Sequence, residues 1–301
     1  MNSTRAWMQK VGPWGYLGRM ARRQFVKRVL RRDLTLRLDN GRDVLLPRTS
    51  GFSSVAWVTK GRVDDGYEEL LRWFAPAETV FFDVGAHFGF YSVFMADIHP
   101  MVVAFEPDVR TLPALRRNLA SIGGAVCVEA AVSDRVGSLR FVADESSPQS
   151  RVLAEGSGTE LDVTVEVPVT TLDATWESLS RPKIGSMKID TECHESAVLQ
   201  GGQKMIGECR PQMLIEATAT SLAPHTAWLD QLGYCAVLLG ERHRDRIQSV
   251  RVIALSKLAD AFVEGMILLL PPEAREQSAW NKLQAAEIRF SETRRVEPVQ
   301  P

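Results

Sequence analysis

Four apolar runs in this chain end on or beside an acid. "TVFFDV" carries Asp83, "MVVAFEP" carries Glu106, "SMKID" carries Asp190 and "QMLIEA" carries Glu216. Short, continuous apolar runs suit strands covered on both faces. Helix patterns lie between them: "FYSVFMADI", "DVRTLPALRRNLASIGG" closed by glycines, and "ECHESAVLQGGQKMI". With "AVCVEAAV", "YCAVLLG" and "GMILLLPP" as further strands and "HTAWLDQLG" as a further helix, the alternation predicts a mostly parallel sheet with helices on both faces. "SLRFVAD" and "DVTVEVPVTTL" read as extra strands around a polar loop. Ligands of such sheets sit beyond the carboxyl ends of the strands, where these acids stand. A carboxylate there is costly to desolvate unless something pairs with it, and a cationic or hydroxyl-rich ligand would.

The first run continues as D-x-G-x-x-x-G, from Asp83 through Gly85 to Gly89. A dinucleotide site needs G-x-G-x-x-G, so that helix N–H groups can hold a pyrophosphate. Asp83 instead suits an ammonium or sulfonium group. Glu106 follows Gly85 at the distance where an acid meets ribose hydroxyls. The ligand implied has a nucleoside and positive charge but no pyrophosphate. S-adenosylmethionine fits this description and NAD fits it poorly. The plainer alternative is that Gly85 and Gly89 only make a tight strand-to-helix turn.

"DVGAHFGFYS", "VVAFEPD", "AAVSDRVGSLRF", "TTLD" and "MKIDTECHESAVLQGG" occur in that order. This series, over roughly residues 60–220, resembles the FkbM-type family of S-adenosylmethionine-dependent methyltransferases. The resemblance implies a seven-stranded class I (Rossmann-like) sheet with one antiparallel strand, and O-methylation of sugar or polyketide hydroxyls. It implies that Asp83, Gly85, His87 and Gly89 form the methionine-side loop, that Glu106 holds the ribose, and that Ala131 and Ser133 lie near adenine. Asp190, Glu192 and Glu195 match the acids of its K-I-D-V-E-G-x-E stretch. Three positions depart from the pattern: His87 stands where the family has Asn, Thr191 where it has Val, and Cys193 where it has Gly. A family glycine that needs positive φ would leave Cys193 strained.

Methyl transfer asks an enzyme mainly to position the nucleophile, and a hydroxyl benefits from losing its proton as it attacks. Asp190 is the first candidate for that task, with Glu192, His194 and Glu216 in reserve. Lys188 shares a face with Asp190 and is a candidate ion-pair partner. No metal is expected: two acids on separate strands are weak ligand evidence, and the four cysteines form no C-x-x-C pair. Variable loops build acceptor pockets, which directs attention to residues 144–160 and 218–226.

Around this core, residues 1–33 form a basic arm with nine Lys or Arg and one acid. Leu17, Met20, Ala21, Phe25 and Val29 share one helical face, although the basic residues spread around the rest. The arm reads either as a helix docked on the core or as one touching an anionic surface such as a membrane. Residues 34–76 predict a hairpin with a two-residue turn at Asn40-Gly41 and a short helix, residues 77–273 the methyltransferase domain, and residues 274–301 a polar, fraying tail. The net charge of −1 does not advertise nucleic acid. No apolar run reaches membrane-span length and no signal-peptide pattern opens the chain, so a cytoplasmic location, with membrane association through the arm, is the expectation. The acceptor expected is a small molecule, glycan or glycolipid. The alternatives are an RNA methyltransferase that uses the arm as an electrostatic footprint and a catalytically silent nucleoside-binding module.

Overall fold

The computed structural model describes residues 8, 11–142, 151–152, 164–240, 242–243, 246–247 and 250–283. Its helices are α1 (Pro13–Phe25), α2 (Phe52–Thr59), α3 (Tyr67–Trp73), α4 (Phe90–Met95), α5 (Leu112–Leu119), α6 (Leu172–Ser178), α7 (Glu195–Gln200), α8 (Gln203–Cys209), α9 (Ala219–Gln231) and α10 (Leu258–Ala261). The strands of the main sheet are β3 (Val80–Val84), β4 (Met101–Phe105), β5 (Ala125–Val128), β10 (Ile184–Ile189), β11 (Gln212–Thr218), β12 (Cys235–Leu239), β15 (Val250–Ala254) and β16 (Glu264–Leu270). Two hairpins stand apart from it, β1 (Leu34–Arg37) with β2 (Asp43–Leu46), and β13 (Arg242–His243) with β14 (Arg246–Ile247). A small second sheet holds β6 (Ala131–Val132), β7 (Gly137–Val142), β8 (Arg151–Val152) and β9 (Thr164–Thr170).

The main sheet runs in the order β15-β12-β16-β11-β10-β3-β4-β5. It has eight strands rather than the seven expected, and two of them, β16 and β15, run antiparallel to their neighbours. The additional strand is β15, "VRVIA", an edge strand that lies beyond the motif series. The extra strands foreseen at 138–144 and 162–172 supply the second sheet instead of joining the first.

Alternation along each strand divides the core in two. Phe81, Val102, Ala104, Leu214 and Leu268 face the side covered by the β1–β2 hairpin and helices α2 to α5. Val80, Phe82, Val84, Met187, Ile189 and Ile215 face the side covered by α6 to α9. Both faces are therefore dry, as the continuous apolar runs require. Asn118, buried on α5, joins three pieces of the first side. It accepts from Leu45 N (2.8 Å) and donates to Leu45 O (3.1 Å) and Phe88 O (2.6 Å).

The β1–β2 turn has three residues, not two. Leu38 N donates to Arg42 O and Gly41 N to Leu38 O, and Gly41 has φ 77° while Asn40 keeps a negative φ. That is a turn followed by a glycine bulge, which lets Asn40 reach across and donate to Val93 O and Phe94 O at the end of α4.

Of residues 218–226, expected as an acceptor loop, Thr218 ends β11 and the rest open α9. Thr218 and Ser221 form a reciprocal capping box that starts the helix there. Of the loop at 144–160, only residues 151 and 152 lie within the described residues. The expected tail is packed over its first part, since Ala274, Ala279 and Leu283 are buried in the core, whereas residues 284–301 lie outside the described residues.

Candidate active site

The register of the parallel strands sets three of the four acids in one row with Gly85. Val84, Phe105, Ile189 and Ile215 are neighbours in the ladder, so the next residues, Gly85, Glu106, Asp190 and Glu216, stand side by side at the carboxyl edge. One residue earlier, Asp83 is the register partner of Lys188. Those two point to the face beneath α4.

Gly85 explains how closely the row is built. Its φ is 75°, and a Cβ there would lie 1.9 Å from Asp190 O. The glycine is thus required by the neighbouring strand itself. Its N–H and that of Ala86 both donate to Phe105 O. Glu106 then closes the loop. It accepts from His87 N (2.7 Å) through one oxygen and from Asp108 N (2.8 Å) through the other. Burial raises its pKa to about 7 despite these bonds. Thr111 adds a hydrogen bond to the same carboxyl, which leaves a lone pair on one oxygen for a hydroxyl group.

Asp83 is buried and accepts from Ser92 Oγ at 2.6 Å. Its other oxygen is buried with no hydrogen-bond partner among the described residues. Burial raises its pKa, against the opposing pull of Lys188. His87 adopts φ 54°, the left-handed conformation that Asn tolerates best and His accepts. Its ring packs on Phe88 and Phe52, and burial, then Lys188, lowers its pKa to about 4, so the imidazole is neutral.

At the other end of the row, Lys188 Nζ donates to Asp190 Oδ2 at 2.6 Å. The ion pair expected from the shared face is present. Burial alone would lower the lysine pKa, but Asp190 and Asp83 raise it. Burial likewise opposes ionisation of Asp190, but Lys188 prevails and holds that carboxyl below its ordinary range. Glu216 hydrogen-bonds to Asp190 and is lifted to about 8, by burial and then by the charge of Asp190. Because the Glu216 side chain is exposed, we ascribe most of that rise to Asp190. Glu192, half-buried on the following loop, is also raised, by burial and then by Asp190.

The loop after β10 is held by Glu195 rather than offering it to a substrate. Its carboxylate accepts from Thr191 N (3.0 Å), Thr191 Oγ1 (3.0 Å) and Cys193 N (3.1 Å). Glu192 and Cys193 both have positive φ, 53° and 77°, so Cys193 does occupy a conformation that favours glycine. His194 is not simply a solvated helix residue: its Nε2 lies 2.9 Å from Ser133 Oγ. Ser133, which ends the segment after β6, is buried and also donates to Asp134 Oδ1. Ala131 is buried in a small apolar cluster with Phe141, Val167 and Val169.

The sequence reading missed one arm of this network. Tyr91 donates to Asp64, and its ring lies 5.6 Å from Lys188 Nζ. Burial, then Asp64, drives the phenol well above its usual range. Asp64 comes from "GRVDDGYEE", near the start of the motif series, where the acid-rich turn before α3 was the available signal.

A model of the FkbM methyltransferase domain matches residues 83–235. No curated protein matches the chain. Among solved structures, methyltransferase FkbM from Methylobacillus flagellatus KT is 14% identical, with a TM-score of 0.37, and the alignment covers 64% of this chain and 43% of that one. A putative methyltransferase from Streptococcus mutans in complex with SAH is 12% identical over 68% of this chain and 96% of that one, with a TM-score of 0.36. The tRNA (uracil-54, C5)-methyltransferase of Pyrococcus abyssi, in complex with S-adenosyl-L-homocysteine, is 12% identical over 79% of this chain and 43% of that one, with a TM-score of 0.39. The first and third of these proteins are thus spanned over less than half their length. The family match takes in the row of acids, the loop between them and half of the chain, and on that ground the chain belongs to the FkbM family of methyltransferases, whose expected cofactor is S-adenosylmethionine.

Proposed function

We propose that this protein is an O-methyltransferase acting on a hydroxyl of a sugar, glycolipid or polyketide-like metabolite. The observation that carries this reading is the Asp190–Glu216 pair, one member tied to a buried ammonium and the other exposed with a pKa of about 8. A carboxylate of ordinary acidity is a poor acceptor for an alcohol proton. One titrating near working pH is better matched to that transfer.

The residues fit the cofactor. Asp83 keeps a buried oxygen without a donor, which an ammonium-bearing ligand would supply directly or through water. Glu106 offers its remaining lone-pair capacity to a ribose hydroxyl, and Gly85, His87 and Gly89 turn the backbone between them. Ala131 and Ser133 stand on the adenine side in this reading. When bound, S-adenosylmethionine supplies a methyl group on a sulfonium that leaves as a neutral thioether.

Asp190 is the positioning member of the pair, because Lys188 fixes its carboxylate. Glu216 takes the hydroxyl proton. The base must be ionised, so turnover rises as pH passes through about 8 and is flat above it. Glu192 stands at the rim beside the pair, where it can meet further hydroxyls of the acceptor.

The test combines turnover, cofactor affinity and pH. Glu216→Gln lowers turnover by roughly 10²–10⁴ while calorimetry finds cofactor affinity unchanged. Asp190→Asn removes the charge that raises Glu216, so the rising limb of its pH profile moves to lower pH. Normal turnover in a stable Glu216→Gln variant would end the assignment. Methyl transfer from labelled cofactor to RNA but not to glycans or glycolipids would favour the RNA reading.

A further inference from the structure

Helix α1 is docked through a mixed face, with Tyr16 and Met20 joining the core. Its inward face carries arginines. Arg23 is fully buried, with Nη2 donating to Pro47 O at 2.9 Å and Nε 3.4 Å from Ser54 Oγ. Arg19 donates to Trp57 O at 2.5 Å and accepts Trp57 Nε1 through its carbonyl at 3.1 Å. Of the apolar residues that share a face in the sequence, Met20 packs inward, while Leu17, Ala21, Phe25 and Val29 face out.

Trp14, Leu17, Ala21 and Phe25 are spaced three, four and four residues apart, which makes one continuous stripe. Val29 extends it through the π turn Val26–Leu30 that follows. Trp14 is 84% exposed, Leu17 50%, Phe25 54%, Val29 64% and Leu30 48%. These are five of the nine large apolar side chains exposed among the described residues, gathered on one short segment.

We propose that this face binds an anionic lipid bilayer. The charges around the stripe choose that occupant. Arg22, Arg28, Arg31 and Arg32 are exposed beside and beyond it, and the first acid is Asp33. A second copy of the chain would set this positive rim against its own image in a twofold contact. A nucleic acid would neutralise the rim and leave the apolar stripe in water. A bilayer of anionic lipid covers both: indole, phenyl and leucyl groups enter at headgroup depth, and the arginines meet the surface charge. The arginines beneath hold the helix on α2, so its outer face is free to lie in the interface.

The experiment is co-sedimentation of the full chain with vesicles of phosphatidylcholine alone, and of phosphatidylcholine with about one phosphatidylglycerol in four. Binding is expected to the mixed vesicles, weakening at high salt, with little to the neutral ones. Leu17→Asp combined with Phe25→Asp should lower partitioning at least about tenfold with the melting temperature unchanged, since both side chains are exposed. Should that variant fail to fold, Arg28→Ala with Arg32→Ala alters only exposed charge and should weaken binding to mixed vesicles several-fold. Equal binding to both vesicle types, binding to neither, or undiminished binding by the variants overturns the proposal. A dimer in sedimentation equilibrium that the double aspartate variant dissociates, without vesicle binding, assigns the face to a second copy. Retention of RNA in place of vesicles assigns it to nucleic acid.

Discussion

Cys193 holds φ 77° without being glycine, and Glu195 is what makes this tolerable. The carboxylate takes the Cys193 N–H and both donors of Thr191, so the loop is fixed by three bonds before any strain is counted. A left-handed residue with a Cβ costs about 1–2 kcal/mol; a glycine there would relieve that strain, and the greater freedom it gives the unfolded chain would cancel part of the gain. Cys193→Gly should therefore stabilise the protein by about 1 kcal/mol, read as a shift in denaturant midpoint at constant slope. No change would mean that the loop has already relaxed around the side chain. The same residue marks what the sequence could disclose. Cys193 was visible as a departure from the family pattern, and its positive φ was foreseeable from that alone. The role of Glu195 was not, because a carboxylate that binds substrate and one that binds its own loop occupy the same place in a motif. Asp190 poses the same problem. Its position and its pairing with Lys188 were legible from the shared strand face, but its hydrogen bond to Glu216 was not, because that contact joins two strands whose separation along the chain does not contain the distance.

Among elements, the decisive contact is between the turn after β3 and the strand end of β10. Gly85→Ala would drive a methyl group to 1.9 Å from Asp190 O, in a backbone conformation that alanine also disfavours. The strands must part for it to fit. The variant should lose several kcal/mol of stability, measured by chemical denaturation, or fail to accumulate folded. A Gly85→Ala protein of normal stability would show that this edge of the sheet yields. Elements also set the limits of the sequence reading. The parallel strands declare themselves as continuous apolar runs because both their faces are dry. The edge strand β15 does not, since it mixes exposed and buried positions over five residues. The start of α9 was hidden for another reason: "TATSLAP" holds a proline and small polar residues, and only the reciprocal bonds of Thr218 and Ser221 turn it into a helix.

At the scale of the whole molecule, the sheet and the arm are held by different forces. The sheet is closed by two apolar cores. The arm adds Tyr16, Met20 and Val26 to one of them but is fastened by arginine-to-carbonyl and arginine-to-indole contacts. Such bonds contribute about 1.5–3 kcal/mol each when charge-assisted, so the arm should open without the sheet. Arg23→Ala is expected to speed amide exchange in residues 13–30 while leaving β3, β10 and β11 as protected as before. Faster exchange throughout would show that the arm is part of one cooperative unit. That the arm docks was one of the two readings its sequence allowed. That it docks through its arginines runs against hydrophobic periodicity, which assumes that apolar residues seek the core. The buried guanidinium of Arg23 carries a further implication. A helix fastened by directional bonds on one side has a single rotational setting, unlike one sliding on a greasy face. Because α2, on which it rests, places Phe52 against His87, the bearing of α1 relative to the loop between Asp83 and Gly89 is set as well. Any plane that the outer face meets would thus stand at one angle to the row of acids, and an acceptor embedded in that plane would present its hydroxyls from one direction.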